Sequence, residues 1–379
     1  MNDLTPLTLV AHATAVFPNF NVVGLSETSH SDGISLRQGV VDANGDRWEI
    51  VAPLDEAEGA KLEAQTTLLR FLRRAYEKGF IPFNIPVPVA HSRVNETLPL
   101  FIYEEVSGQP VSYDDLYDYA TLAHSLGNAL AALHQLPAEI MERTGLPMYS
   151  AADCRELMRA QLAEAARAWS LPANLYRRWE TALDDDSLFN FTTTPVHGNL
   201  DVDSFLAVRG AVTTMRDFAA AKLGDPAEDL ANLLAGEDQD LIDDFLNAYL
   251  SARRQQADLH LVSRGYLCAE FNLLRWLLQG IRNHDSAVIA DAKAMIQALA
   301  EQLGDEPLLP EHAQIERGEV NLIDVAEAVL AAQAGANTSA TASLASEAET
   351  VVLDPLFAKS HWEAGDNSET GDDWEEPRN

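Results

Sequence analysis

The sequence predicts an α+β protein: a small β-rich N-terminal part, a larger helical part behind it, and an acidic tail. Three observations predict this. Up to about residue 105, apolar and polar residues alternate in short runs around one helical stretch, and Asn44-Gly45 sits between two of the runs. From Tyr119 to Leu303 most segments repeat their apolar residues every three or four positions. After Gly304 the composition turns acidic, with 17 Asp and Glu against 3 Lys and Arg through residue 379.

The elements follow in order. Gly33 to Asp42 alternates, Ala43 to Asp46 turns, and Arg47 to Leu54 returns, so these residues predict a hairpin. From Ala57 to Lys78, Leu62, Leu68, Leu69, Leu72 and Tyr76 recur at helical steps, and Gly79 stops the run. Pro82, Pro86 and Pro88 make Ile81 to Ala90 an extended connector or an edge strand. Leu98 to Glu105 reads as a strand. Helices are predicted over Tyr119 to Leu136, Ala151 to Trp169 and Pro172 to Leu183. A β interlude spans Thr192 to Val196, Phe205 to Val208 and Ala211 to Asp217. The helix expected over Pro226 to Ala235 has Asp225 as N-cap, Pro226 at its first position and Glu228 closing a capping box. Leu241 to Gln256, Leu261 to Asn283 and Ser286 to Leu303 complete the helical part. Ala331 to Ser346 holds only small and polar residues and reads as a flexible linker. Val351 to Trp362 is an apolar island within a polar tail.

Charge narrows the partners. The formal net charge is −33, of which the last 76 residues contribute −14. Nucleic acid and anionic membrane both need a positive footprint, so neither is expected as a partner. Cys154 and Cys268 lack metal-ligand spacing and read as buried thiols in a reducing compartment. The first residues lack the basic start and cleavage site of a signal peptide, and no apolar run reaches the roughly 20 residues of a membrane helix. A cytoplasmic protein is expected.

Two motifs carry the chemistry. Residues 197–206 read HGNLDVDSFL and residues 216–230 read RDFAAAKLGDPAEDL. Their order and spacing resemble the catalytic loop and metal-binding segment of aminoglycoside phosphotransferase-like enzymes. The usual form there is His-Gly-Asp-Leu, four residues, Asn, a hairpin ending in Ile-Asp-Trp or Ile-Asp-Phe, then Gly-Asp-Pro and Asp-Leu. LYRRWETALDDDS at 175–187, GDRWEIVAPL and LGNALAALHQLP resemble the macrolide phosphotransferases in particular. The resemblance covers about residues 8–303. It implies a protein-kinase-like fold of two lobes, a small one at 1–105 and a helical one at 106–303, followed by a largely disordered tail at 304–379.

The resemblance also implies a division of labour. A small-lobe cation holds the nucleotide phosphates, a Glu on the next helix holds that cation, and a loop Asp takes the substrate proton. A loop Asn and the Asp after the hairpin hold magnesium. Here the cation position falls on Val51, the helix Glu on Gln65, the catalytic Asp on Asn199 and the metal-binding Asn on Ser204. Only the hairpin carboxylate remains, as Asp217, a metal ligand or an anchor for the loop backbone. The phosphate-covering turn at Glu27 to Gly33 carries two acids. Asp201 and Asp203 could replace the lost carboxylate or stand solvated. His197 and His134 read as structural hydrogen-bonders, and Asp229 as a loop anchor.

Three functions follow from these residues. The first is a catalytically impaired homologue, a pseudoenzyme that binds a small molecule or a protein through the inherited cleft. The second is an active small-molecule kinase, using Mg2+ and ATP or GTP, with Asp201, Asp203 and Asp217 as a rearranged carboxylate set. The third is a scaffold that acts through its acidic tail. Cofactors are therefore Mg2+ with ATP or GTP if the chain is active, and otherwise none.

Overall fold

The computed structural model describes residues 5–17, 20–26, 35–94, 98–236, 238–253 and 258–309. Met1–Ala313 gather into one compact unit. The expected linker, the apolar island, the acidic end and the turn at Glu27 to Gly33 lie outside the described residues.

The N-terminal region opens with α1 (Pro6–Val16) and β1 (Val22–Ser26). The hairpin of β2 (Ser35–Asp42) and β3 (Arg47–Pro53) follows, then α2 (Glu56–Glu77), β4 (Pro88–Arg93) and β5 (Pro99–Glu104). The strands form one antiparallel sheet in the order β1-β2-β3-β5-β4, which puts the proline-bearing β4 at an edge. Gly45 turns the hairpin at φ +89°. That turn sets the register, which pairs Leu36 with Ala52, Arg37 with Val51 and Gly39 with Glu49.

Both faces of the sheet are covered. Val40, Ile50, Ala52, Leu100 and Ile102 pack with Leu9 and Ala13 of α1. On the other face Val51, Phe101 and Tyr103 pack with Leu62 of α2. The sequence reading expected a single helix in this region and missed α1. The segment is apolar or small almost throughout (PLTLVAHATAV), so no polar stripe marks its period. Its start is written instead in a cap, with the Thr5 side chain accepting from the Thr8 backbone and the Thr8 hydroxyl from the Thr5 backbone.

The C-terminal region is helical around a short β interlude. It contains β6 (Gln109–Pro110), α3 (Tyr113–Asp118), α4 (Leu122–His134), α5 (Glu139–Glu142), α6 (Ala151–Ala168) and α7 (Ala173–Asp184). The interlude is β7 (Thr194–Val196), β8 (Phe205–Val208), β9 (Ala211–Met215) and β10 (Lys222–Gly224), and α8 (Ala231–Leu234), α9 (Gln239–Ala252), α10 (Leu261–Arg282) and α11 (Ser286–Leu303) close the region. Its core joins α2, through Leu68, Leu69 and Leu72, to α4, α9 and α10. Gly127 of α4 lets the α9 backbone approach closely, since a Cβ there would meet the Phe245 carbonyl and the Ala248 side chain.

The predicted helix over Pro226 to Ala235 is corrected. Pro226–Leu230 is a 3-10 turn that runs into α8. Asp225 caps it by accepting from the Ala227 N–H, but Glu228 closes no box and pairs with Lys222 Nζ at 2.6 Å. An acidic side chain beside a half-buried Lys gains more from the ion pair than from one backbone N–H. Among the described residues no helix is long and apolar enough to cross a membrane.

Candidate functional site

The loop between β7 and β8 is held from beneath. Asp229, fully buried, accepts the backbone N–H of His197 at 2.7 Å and of Gly198 at 2.8 Å. It also bonds Nε2 of His134 at 3.0 Å, and His134 Nδ1 meets the Tyr249 hydroxyl at 2.8 Å. Burial opposes the charge on Asp229, but the hydrogen bond from His134, with the backbone N–H of Gly198 behind it, outweighs it, so its carboxyl is held below its ordinary value. Burial pulls the His134 imidazole down, so it is neutral at pH 7. Gly198 sits at φ +83°, where a Cβ would run into the Ala220 carbonyl oxygen. His197 Nε2 bonds the Arg216 carbonyl at 2.7 Å, and its ring packs on Phe218. His134 and His197 are therefore interior hydrogen-bonders.

A cavity of about 760 Å³ opens above this loop, bounded on the other side by the sheet and α2. Gln65, Asn199, Asp201, Asp203, Ser204 and Asp217 all line it. Val51 does not; it is buried among Leu62, Phe101 and Tyr103. Gln65 is 4% exposed, and its Oε1 has no hydrogen-bond partner. Asn199 is exposed toward the cavity.

Two of the loop residues are committed to local structure. Asp201 caps the 3-10 turn Val202–Ser204, accepting the Val202 N–H at 2.7 Å, and the Ser204 hydroxyl accepts the Asp201 N–H at 3.2 Å. The Tyr113 hydroxyl also donates to Asp201 Oδ1, at 2.9 Å. Burial first, then the Asp201 charge, push the Tyr113 phenol up, so it stays a donor. Asp203 is exposed, and its carbonyl accepts from Arg216 Nη2 at 3.1 Å.

Asp217 stands at φ +68°, a left-handed conformation that costs a residue with a Cβ some strain and that Asp tolerates better than most. Its two oxygens face two guanidiniums. Arg37 Nη2 lies 3.4 Å from Oδ1 and Arg216 Nε 3.3 Å from Oδ2. Arg37 Nη1 also pairs with Glu49 Oε2 at 3.2 Å. Burial pushes the Glu49 carboxyl up against the pull of Arg37, and its Oε1 lacks a partner. Burial likewise pulls Arg216 below its ordinary value.

Sequence reasoning missed Arg37, Glu49 and Arg216. A signal for the first two was present. Counting outward from the Asn44-Gly45 turn places Arg37 opposite Val51 and Glu49 two residues away on the same face. Arg216 was visible as a cation where the family pattern has an apolar residue. Among the described residues no group of three or more His, Cys, Asp or Glu is arranged to hold a metal.

A sheet and a helical region that share a cleft, with a His-Gly loop and a left-handed Asp at its floor, define a kinase-like phosphotransferase fold. The chain belongs to the phosphotransferase enzyme family, whose profile matches residues 41–260, more than half of its length. An uncharacterized protein of Bacillus subtilis (strain 168), YcbJ, is 23% identical over 233 residues, which is 55% of this chain and 73% of that one. Among solved structures, macrolide 2'-phosphotransferase MphH from Brachybacterium faecium superposes with a TM-score of 0.64 at 21% identity, covering 76% of this chain and 97% of that one. The GDP complex of aminoglycoside 2'-phosphotransferase-IIIa gives 0.65 at 22% identity, covering 78% and 98%. At these identities the structures share the fold.

Proposed function

We propose that this protein is a family member that binds a ligand, a small molecule or a segment of a protein, in the inherited cleft and transfers no phosphoryl group. The observation that carries this reading is the ion cluster around Asp217: the carboxylate that would hold magnesium faces Arg37 on one oxygen and Arg216 on the other. A divalent cation would have to displace two guanidiniums to reach it. The second metal position is Ser204, whose hydroxyl is engaged in the loop cap. One carboxylate that already faces two guanidiniums, beside a neutral, occupied hydroxyl, fits magnesium poorly unless substrate phosphates and waters complete the shell.

Asn199 completes the case. A carboxamide can orient a hydroxyl but takes no proton at neutral pH. Of the two candidate substitutes, Asp201 is fixed by the Val202 N–H and the Tyr113 hydroxyl, and Asp203 is the more exposed. The solved relatives include complexes with GDP and with ATP, so GTP and ATP are the first phosphoryl donors to test.

The test is a phosphotransfer assay with ATP and with GTP against aminoglycosides and macrolides. The unmodified protein is expected to give no turnover. Asn199→Asp is expected to remain inactive, because a restored proton acceptor still has no metal-held phosphate beside it. Robust turnover by the unmodified protein on any hydroxylated substrate would overturn the proposal. Alanine at Asp203 and at Asp201 would then show which carboxylate serves as the base.

A further inference from the structure

The charge pair that the family resemblance puts on β3 and α2 is gone, and both positions have become neutral. Val51 is sealed in an apolar cluster, with no surface exposed. Gln65 keeps its place on α2 with an unpartnered oxygen. Yet an arginine and its acid stand one strand away. Arg37 on β2 is the registered partner of Val51, and neighbouring strands are only about 5 Å apart. A guanidinium rooted at residue 37 can therefore reach the space that a cation at residue 51 would serve. Glu49 on β3 anchors it, across the strand pair from Gly39. Arg37, Glu49 and Gly39 all line the cavity.

Two guanidiniums are placed to meet an anionic guest, although acids outnumber bases around the cavity. Two guanidiniums, Arg37 and Arg216, converge on Asp217 and Glu49. Burial pushes the Glu49 carboxyl up against the pull of Arg37, while the Arg37 Nη1 to Glu49 Oε2 contact at 3.2 Å keeps the guanidinium over the cavity. The Arg37 to Asp217 contact is long at 3.4 Å, and the Asp217 side chain is 30% exposed. An incoming phosphate oxygen can take the place of Asp217 Oδ1 without leaving Arg37 unpaired. Asp217 keeps Arg216 throughout. Other acids line the cavity: Glu58 is paired with Lys61, Glu105 with Arg47, Asp201 takes the Tyr113 hydroxyl, and Glu104 and Asp203 are exposed to solvent.

We propose that Arg37, held by Glu49, is a relocated anion clamp that binds the phosphate groups of a ligand in this cleft without a divalent cation. The inference rests on the reading that the inherited cleft binds a ligand, and it names that ligand's chemistry. Arg37 is a binding residue here; its fork can take two phosphate oxygens at once, whereas a lysine offers a point charge.

Titration calorimetry tests it, with ATP, ADP and inorganic pyrophosphate as probes, each in magnesium and in EDTA. The unmodified protein is expected to bind at least one probe, with the affinity in EDTA within about threefold of that in magnesium, a difference below about 1 kcal/mol. Arg37→Met is expected to weaken that binding at least about tenfold, the scale of one lost charge-assisted contact. Arg37→Lys should fall between the two. If Arg37→Met fails to fold, Arg37→Met with Glu49→Gln removes both charges together and strands no acid. Equal binding of pyrophosphate would identify phosphate alone as the determinant, and tighter binding of ATP or ADP a nucleotide; both support the clamp. Failure of the unmodified protein to bind any probe, binding abolished by EDTA, or full affinity in the arginine-free variants would overturn it. The two proposals fail separately. No binding with no turnover removes the clamp alone, whereas turnover with Arg37-dependent binding removes only the inactive reading.

Discussion

Asp225→Ala is expected to destabilise the protein by about 3–5 kcal/mol, several times the loss of an ordinary helix cap. From sequence Asp225 is an N-cap, worth about 1 kcal/mol. In the fold it is also half of a buried ion pair. Arg264, 1% exposed, donates from Nε to Asp225 Oδ2 at 2.8 Å and from Nη2 to Oδ1 at 3.1 Å. The same guanidinium reaches Asp258 at 2.6 Å and the Leu188 carbonyl at 3.1 Å, and lies over the Phe191 ring. Burial alone would pull Arg264 down, but Asp225 and Asp258 push it above its ordinary value. Removing Asp225 leaves a buried guanidinium with one carboxylate and an uncapped turn. Asp225→Asn, which keeps the cap and the volume, should lose roughly half as much. Chemical denaturation measures both. A loss near 1 kcal/mol for the alanine variant would mean that the cap is the whole contribution.

Asp229→Ala is expected to cost about 3–6 kcal/mol and to loosen the loop that carries Asn199. Three donors would lose their acceptor together: His134 Nε2, the His197 N–H and the Gly198 N–H. Each buried donor left unsatisfied costs about 1–3 kcal/mol. Hydrogen exchange at His197 and Gly198 should rise in this variant even where the helices stay protected. The contribution is also pH-dependent, with a definite sign. Because the folded carboxyl sits below its ordinary value of 3.8, its stabilisation is complete above that value. It is lost as pH falls through the folded value. The gap between the unmodified protein and Asp229→Ala should therefore be wide at neutral pH and narrow only in strong acid.

Much of the fold is legible in residue spacing. The three- and four-residue repeat of Leu62, Leu68, Leu69 and Leu72 marks α2 within a residue or two of Glu56–Glu77. Asn44-Gly45 marks the hairpin, and Asp225-Pro226 marks the turn before α8. The His-Gly and Gly-Asp-Pro motifs, in their order, point to the kinase-like fold. The segments that escaped are those with weak local marks. α1 lacks a polar stripe, and α3 is one short turn and a half, capped by Ser112 and Asp115.

The sequence by itself determined the succession of elements, the hairpin register, and the uncharged residues at positions 51, 65 and 199, where the family resemblance leads one to expect charge. These depend on interactions among near neighbours: backbone hydrogen bonds, side-chain alternation and turn geometry all act within a few residues. Only the tertiary structure decided where the replacement charges meet. Arg37 and Asp217 are 180 residues apart, Asp225 and Arg264 39 apart, and Asp229 and His134 95 apart. Each pair exists because packing brings two elements together and removes water from between them. An unpaired charge is costly there and a paired one persists, so the partner of a buried ion is settled by the packed chain as a whole.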